Sequence, residues 1–208
     1  MGAYATVKGE AQIEIAVNKS RFIGYCAPMA SEESARAYLE EIRKKHRDAS
    51  HNCYAYSIGE QGETARFSDD GEPGGTAGLP MMEAIRQKGL TNLICVVTRY
   101  FGGVLLGAGG LVRAYSKTAA AAMDEAGPIE MRHCVCYRLE MDYSSFSLLE
   151  PLLHRLGEVE RMEYAEGVRA WVIILQENGD AFVRTVVDKT DGKIVPIAEE
   201  KRYAAFPI

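Results

Sequence analysis

The chain has 208 residues, of which 47% are hydrophobic and 25% charged, the balance of an ordinary globular protein and not of a disordered or fibrous chain. At roughly 100–200 residues per domain, the length allows one large or two small domains. The formal net charge of −5 argues against a general DNA-coating protein.

Ile13, Ile15 and Val17 alternate with polar or small neighbours from Gln12 to Val17, which predicts a strand. Asn18-Lys19-Ser20 then turns the chain into a second strand, Arg21 to Cys26. Ser31 reads as an N-cap, with Glu32 and Glu33 in a first turn and Ala35, Tyr38, Leu39 and Ile42 at helical spacing. Arg43, Lys44, Lys45 and Arg47 close this helix, where cations complement the dipole. Strands are expected over His51 to Ile58 and Ala65 to Ser68, followed by the turn-rich segment Asp69 to Gly78. Pro80 at a helix start and Gly89 past its end bracket a second helix. Thr91 to Thr98 is a strand of the buried kind, Arg99 to Gly110 a glycine-rich connection, and Leu111 to Glu125 a helix stopped by Gly127-Pro128.

That stop marks the expected domain boundary, with domains over residues 1–129 and 130–208. The second domain reads as strand (Cys134–Tyr143), helix (Ser144–Leu156), strand (Glu158–Tyr164), strand (Val168–Gln176), helix (Gly179–Lys189) and strand (Ile194–Arg202). Strand-helix-strand twice over is the split βαβ, ferredoxin-like arrangement. The first domain carries 14 Lys and Arg against 15 Asp and Glu. Between Ala84 and Met123, however, it holds Arg86, Lys88, Arg99, Arg113 and Lys117 and no acid.

Five cysteines, an odd number without CxxC spacing, point to reduced thiols in the cytoplasm. Leu93 to Thr98 is among the longest apolar runs, far short of a membrane span. The opening residues have neither the basic n-region nor the apolar stretch of a secretory signal. Met1-Gly2 with Thr6 fits the myristoylation pattern, but no polybasic second anchor follows, so no membrane partner is expected.

Glycines ahead of a helix let a ligand approach bare backbone N–H groups, and a helix start carries partial positive charge. Here Gly107, Gly109 and Gly110 lead into Leu111, and Arg113 and Lys117 follow one turn apart. Cations in a first turn oppose the dipole by roughly 0.3–1 kcal/mol each, which makes local sense if an anion sits there. The alternative is a tight turn at Gly102-Gly103, close packing at the other glycines and solvated cations. No Walker A loop or dinucleotide fingerprint is present, and no cofactor is expected. Asp69, Asp70 and Glu72 are weak catalytic candidates: they could hold a cation, move a proton, pair with Arg99 or Arg113, or shape the turn. No metal site is expected from their spacing. His51, Cys53 and Ala55 share one strand face, and Asn52, Tyr54 and Tyr56 the other. A Cys–His pair needs an oriented base that one strand cannot guarantee. The tyrosines can stack on bases or lie over a helix. His133 and His154 stand alone and carry no role.

The runs KSRFI (Lys19–Ile23), HNCYAY (His51–Tyr56), RFSDDGEPGGTAG (Arg66–Gly78) and VVTRYFGGVLLGAGGLVRAYSK (Val96–Lys117) resemble the signature of the YigZ/IMPACT family over most of residues 18–124. Members carry a basic residue before the proline of the TAGxP segment; this chain has Leu79. The resemblance implies an α+β chain, with a first domain like domain 2 of ribosomal protein S5, its sheet covered by helices on one side. It implies a ferredoxin-like second domain, the pair resembling the last two domains of elongation factor G. Eukaryotic relatives regulate translation under starvation through an extra N-terminal domain, so that mechanism is not expected here. For bacterial members it implies a cytoplasmic protein. The leading expectation is an RNA- or ribosome-associated regulator of translation. Its anion-binding surface would comprise Arg99, Gly107, Gly109, Gly110, Arg113 and Lys117, with Tyr54, Tyr56, Tyr100 and Phe101 as stacking partners. The alternatives are an enzyme acting on a phosphorylated small molecule or nucleotide, and an adaptor with a protein partner.

Overall fold

The computed structural model describes residues 2–208; Met1, where the myristoylation-like pattern begins, lies outside them. The chain divides into two compact units, Met1–Met131 with Ala205–Ile208, and Arg132–Ala204. Among the described residues, no helix is long and apolar enough to cross a membrane.

The first unit opens with β1 (Tyr4–Val7), a short strand with no clear alternation, which pairs with Pro128–Met131. A five-stranded antiparallel sheet follows, built from β2 (Ala11–Val17), β3 (Ser20–Pro28), β4 (His51–Ile58), β5 (Thr64–Ser68) and β6 (Leu93–Tyr100) in the order β2-β3-β6-β4-β5. The β2–β3 turn is Asn18-Lys19, both residues left-handed, as a two-residue hairpin requires. Helix α1 (Glu32–Lys45) starts at Ser31, whose hydroxyl accepts from the Ser34 amide in a reciprocal capping box.

Strand alternation assigns each side chain to one of two cores. Ile23, Tyr25, Tyr56, Ile94 and Val96 pack against Ala35, Leu39 and Ile42 of α1. Phe22, Cys26, Cys53, Ala55, Cys95 and Val97 pack against α2 (Gly78–Gln87) and α3 (Gly107–Glu125). The sheet is therefore covered on both faces, which corrects the expectation of helices on one side. A sheet whose central strand β6 is buried along nearly its whole length leaves neither face for water.

The second unit holds most of β7 (Pro128–Met141), then α4 (Tyr143–Leu156), β8 (Glu158–Tyr164), β9 (Val168–Leu175), a 3-10 turn (Gln176–Asn178), α5 (Gly179–Lys189) and most of β10 (Ile197–Pro207). The strand order is β8-β9-β7-β10. Leu139, Val172 and Ile174 from the strands share a core with Leu149 and Leu153 of α4 and Phe182 and Val186 of α5. The chain is thus a two-unit α+β protein. β7 begins at Pro128 and not at Cys134 because β1, from the start of the chain, pairs with its first residues.

α3 approaches β3 at Gly24, where a Cβ would stand 2.8 Å from Thr118 Cγ2 and 3.1 Å from the Thr118 carbonyl oxygen. Both are in the packed interior, so Gly24→Ala is expected to destabilise the protein by about 1–3 kcal/mol through overpacking. Urea unfolding measures this; unchanged stability would mean that the β3–α3 contact is looser than described.

Candidate functional site

β6 runs on through Arg99 and Tyr100, two residues past the Thr98 end that the apolar run predicts. Alternation then sends these two side chains to opposite faces. Arg99 is the register partner of Phe22 on one side and His51 on the other, so these three residues form a row on the face carrying α3. Arg99 is buried, at 5% exposure. Its Nη1 donates to Glu72 Oε1 at 2.7 Å, and its Nη2 to Ser20 Oγ at 3.4 Å. Its Nε is buried and has no hydrogen-bond partner. Phe22 and Phe101 lie 5.3 and 5.4 Å from the guanidinium carbon, in the range of cation–π attraction.

Glu72 is the hub. Its Oε1 accepts a second hydrogen bond from the Tyr115 hydroxyl of α3 at 2.7 Å, and its Oε2 stands 3.9 Å from His51 Nε2. The other His51 ring nitrogen, Nδ1, lies 2.8 Å from the Asp70 carbonyl. A carbonyl only accepts, so Nδ1 carries a proton.

The three acids are separated. Asp69 accepts from the amides of Gly75, Ala77 and Gly78 at 2.8 to 2.9 Å and so anchors the start of α2. Burial pushes its carboxyl up, but these three donors outweigh that and hold it below the ordinary value. Asp70 accepts from the Asn52 amide at 2.7 Å and pairs with Arg43 at 3.3 Å. With Glu72 bound to Arg99 and Tyr115, the structure does not bring the three catalytic candidates together. Among the described residues, no group of three or more His, Cys, Asp or Glu is placed to hold a metal ion.

α3 starts at Gly107, so Gly107, Gly109 and Gly110 form its first turn and are not a loop before it. Leu106 is the N-cap, and no side chain bonds the first amides. Gly107, Ala108 and Gly109 are exposed, as are Arg113 and Lys117. The Arg113 guanidinium reaches back over the turn, with Nη1 3.6 Å from where a Gly109 Cβ would be. Gly102 is required for a different reason: a Cβ there would stand 2.1 Å from the Lys19 carbonyl, so the β6–α3 connection lies directly on the β2–β3 turn. Gly107, Ala108 and Leu111 line a cavity of about 450 Å³ together with His51, Glu72, Pro73, Arg99, Phe101, Leu105 and Leu106.

The stacking residues are dispersed. Tyr56 is buried under α1 and donates to Glu32 at 3.0 Å, so it offers no face to a base. Tyr54 stacks on Tyr56 with centroids 6.0 Å apart. The Tyr100 hydroxyl donates to Asp48 at 3.1 Å and sits 2.9 Å from His46 Nδ1. All three tyrosines are on the α1 face, away from Arg99. Of the four aromatic residues, only Phe101 reaches the cavity. Burial pushes the Cys53 thiol up to about 12, and it donates to the Asp69 carbonyl at 2.9 Å, which makes it an inert structural thiol. His51 and Tyr115, absent from the expected site, are at its centre. Alternation along His51–Ala55 already pointed His51 to this face.

The description "Impact N-terminal domain" belongs to a family model that matches residues 18–123. "IMPACT family member YvyE" of Bacillus subtilis is 36% identical over 192 residues, covering 92% of this chain and 88% of that protein. "IMPACT family member YigZ" of Escherichia coli is 34% identical over 188 residues, covering 89% and 92%. A solved crystal structure of a hypothetical protein is similar with a TM-score of 0.60 at 31% identity, covering 96% of this chain and 98% of that one.

Loss of the Asp69 anchor tests the local geometry. Asp69→Ala is expected to cost about 1–2 kcal/mol at neutral pH, as for a helix cap. The folded carboxyl sits below its ordinary value, so its contribution is complete above the unfolded pKa of about 3.9 and is lost as pH falls through the folded value. Urea unfolding over a pH series should show the gap between wild type and variant closing in acid; a gap that widens there would contradict the assignment.

Proposed function

The chain belongs to the IMPACT family, and from that membership we propose that it is an RNA- or ribosome-associated regulator of translation, acting in the cytoplasm, that grips phosphate at the first turn of α3. One observation carries the reading: the turn is exposed, built from glycine and uncapped. Unpaired amides and the helix dipole both favour an anion there. Arg113 and Lys117 on the same helix start supply the charge that draws a polyanion. Arg99 acts from behind, as the buried partner of Glu72, and makes no phosphate contact in this reading.

The domain reading follows the same line. Residues 1–129 form the S5 domain 2-like part, here with helices on both sheet faces, and residues 130–208 the ferredoxin-like part. The order β8-β9-β7-β10, with α4 and α5 in the two crossovers, supports the second assignment.

The cavity favours a second reading, an enzyme or binding protein for a phosphorylated small molecule or nucleotide. Its volume of about 450 Å³ falls in the range of small-molecule sites, and it adjoins the same helix start. Against catalysis, Asp69 and Asp70 are committed to backbone amides and Arg43.

Binding to ribosomes and to structured RNA at two salt concentrations, for wild type and Arg113→Ala/Lys117→Ala, tests the leading reading. Affinity should fall steeply with salt, and the double variant should bind more weakly, its log–log salt slope reduced by about 0.7–0.9 per lost contact. Equal affinity and slope for the two proteins would overturn it.

A further inference from the structure

A carboxylate in apolar surroundings needs its lone pairs occupied, and one oxygen of Glu72 is left open. Glu72 is 8% exposed and lines the cavity beside α3. Its Oε1 accepts from Arg99 and Tyr115. Its Oε2 has no hydrogen-bond partner among the described residues: His51 Nε2, at 3.9 Å, is too far for one in either proton state. Arg99 already balances the Glu72 charge, so what the open oxygen lacks is a neutral donor, an O–H or N–H. The Arg99 Nε is sealed and meets no ligand. Ser50 also lines the cavity; its hydroxyl accepts from the Phe101 amide at 3.2 Å and can turn its proton either way, so it selects nothing.

Most of the remaining wall is apolar, with Pro73, Leu106 and Leu111 and the half-exposed Phe101. Gly107 and Ala108 bring the exposed, uncapped first turn of α3 into the same lining. Tyr115, which reaches Glu72, is six to eight residues beyond Gly107–Gly109, about 9–12 Å along the axis. Its side chain leans back toward the helix start. The open oxygen and the open amides are thus within the span of one small molecule.

We infer that the cavity binds a small phosphate monoester with three parts. The phosphate sits on the first turn of α3, a compact apolar body packs against Phe101, Leu106 and Leu111, and a hydroxyl or N–H at the far end donates to Glu72 Oε2. This rests on the phosphate reading of the same helix start and goes beyond it by naming the rest of the ligand. The volume of about 450 Å³ suits such a molecule. A ligand without the donor strips water from the carboxylate oxygen and leaves it unpaired, and selectivity comes from that penalty.

The experiment titrates the full ¹⁵N-labelled chain with inorganic phosphate, 4-methylphenyl phosphate and 4-hydroxyphenyl phosphate; the two esters differ only in a methyl against a hydroxyl. Both esters should bind more tightly than inorganic phosphate, and the hydroxyl ester about tenfold or more tighter than the methyl ester. Phe101→Ala should weaken both esters about three- to fivefold through lost apolar contact and leave inorganic phosphate unchanged. Glu72→Gln keeps an oxygen for Arg99 and Tyr115 and puts an amide nitrogen in the open position, which should erase the preference for the hydroxyl. Thermal unfolding reports whether that variant is folded, and the comparison of esters on the wild type stands without it. Equal affinity for the two esters would overturn the donor to Glu72. Esters binding no more tightly than inorganic phosphate would overturn the cavity assignment while the phosphate reading stands. Absence of binding by all three would overturn both.

Discussion

A carboxylate sealed among a guanidinium, a phenol and an imidazole ties three separate parts of the first unit together. Glu72 belongs to the turn after β5, Arg99 to the end of β6, and Tyr115 to α3, and both hydrogen bonds on its Oε1 are 2.7 Å. Desolvating both charges is expensive, so the pair contributes little net stability compared with a well-packed apolar pair. Its effect is on position. With one partner removed, the other would be a buried charge without compensation, a penalty of about 3–5 kcal/mol. The acidic turn therefore stays where Arg99 is, and α3 starts where Tyr115 allows.

The remaining acids are consumed in holding that arrangement. Asp69 anchors α2, and Asp70 anchors β4 through the Asn52 amide. Three carboxylates in four positions, suggestive of catalysis when read along the chain, become three separate structural clamps. What stays open defines the chemistry available: the first turn of α3 and, on Glu72, the oxygen that faces His51 Nε2 at 3.9 Å. Both belong to residues lining one cavity or the helix start that adjoins it.

Much of this architecture was legible in the residues themselves. The alternation of Ile13, Ile15 and Val17, the Ser31 cap and the Gly127-Pro128 stop are local signals, and the corresponding elements lie where these signals are. β1 was not legible, because it is defined by pairing with Pro128–Met131, far along the chain. The end of β6 was missed because Arg99 breaks an apolar run; only the pairing partners Phe22 and His51 reveal that it is still strand. That one displacement placed Arg99 and Tyr100 side by side in a loop, when the pleat turns them to opposite faces. Tyr56 illustrates the same limit: its face was readable, but that α1 covers this face depends on long-range packing. The glycine-rich segment was recognised as a helix start, whereas its role as the helical first turn depended on backbone geometry.

The central claim is that anions are held by the open amides of α3. Amide chemical shifts of ¹⁵N-labelled protein titrated with inorganic phosphate at low ionic strength address it most directly. Saturable shifts centred on Gly107, Ala108 and Gly109, fading as salt is added, are the predicted result. Movement scattered over surface lysines and arginines, with those three amides unchanged, would contradict it.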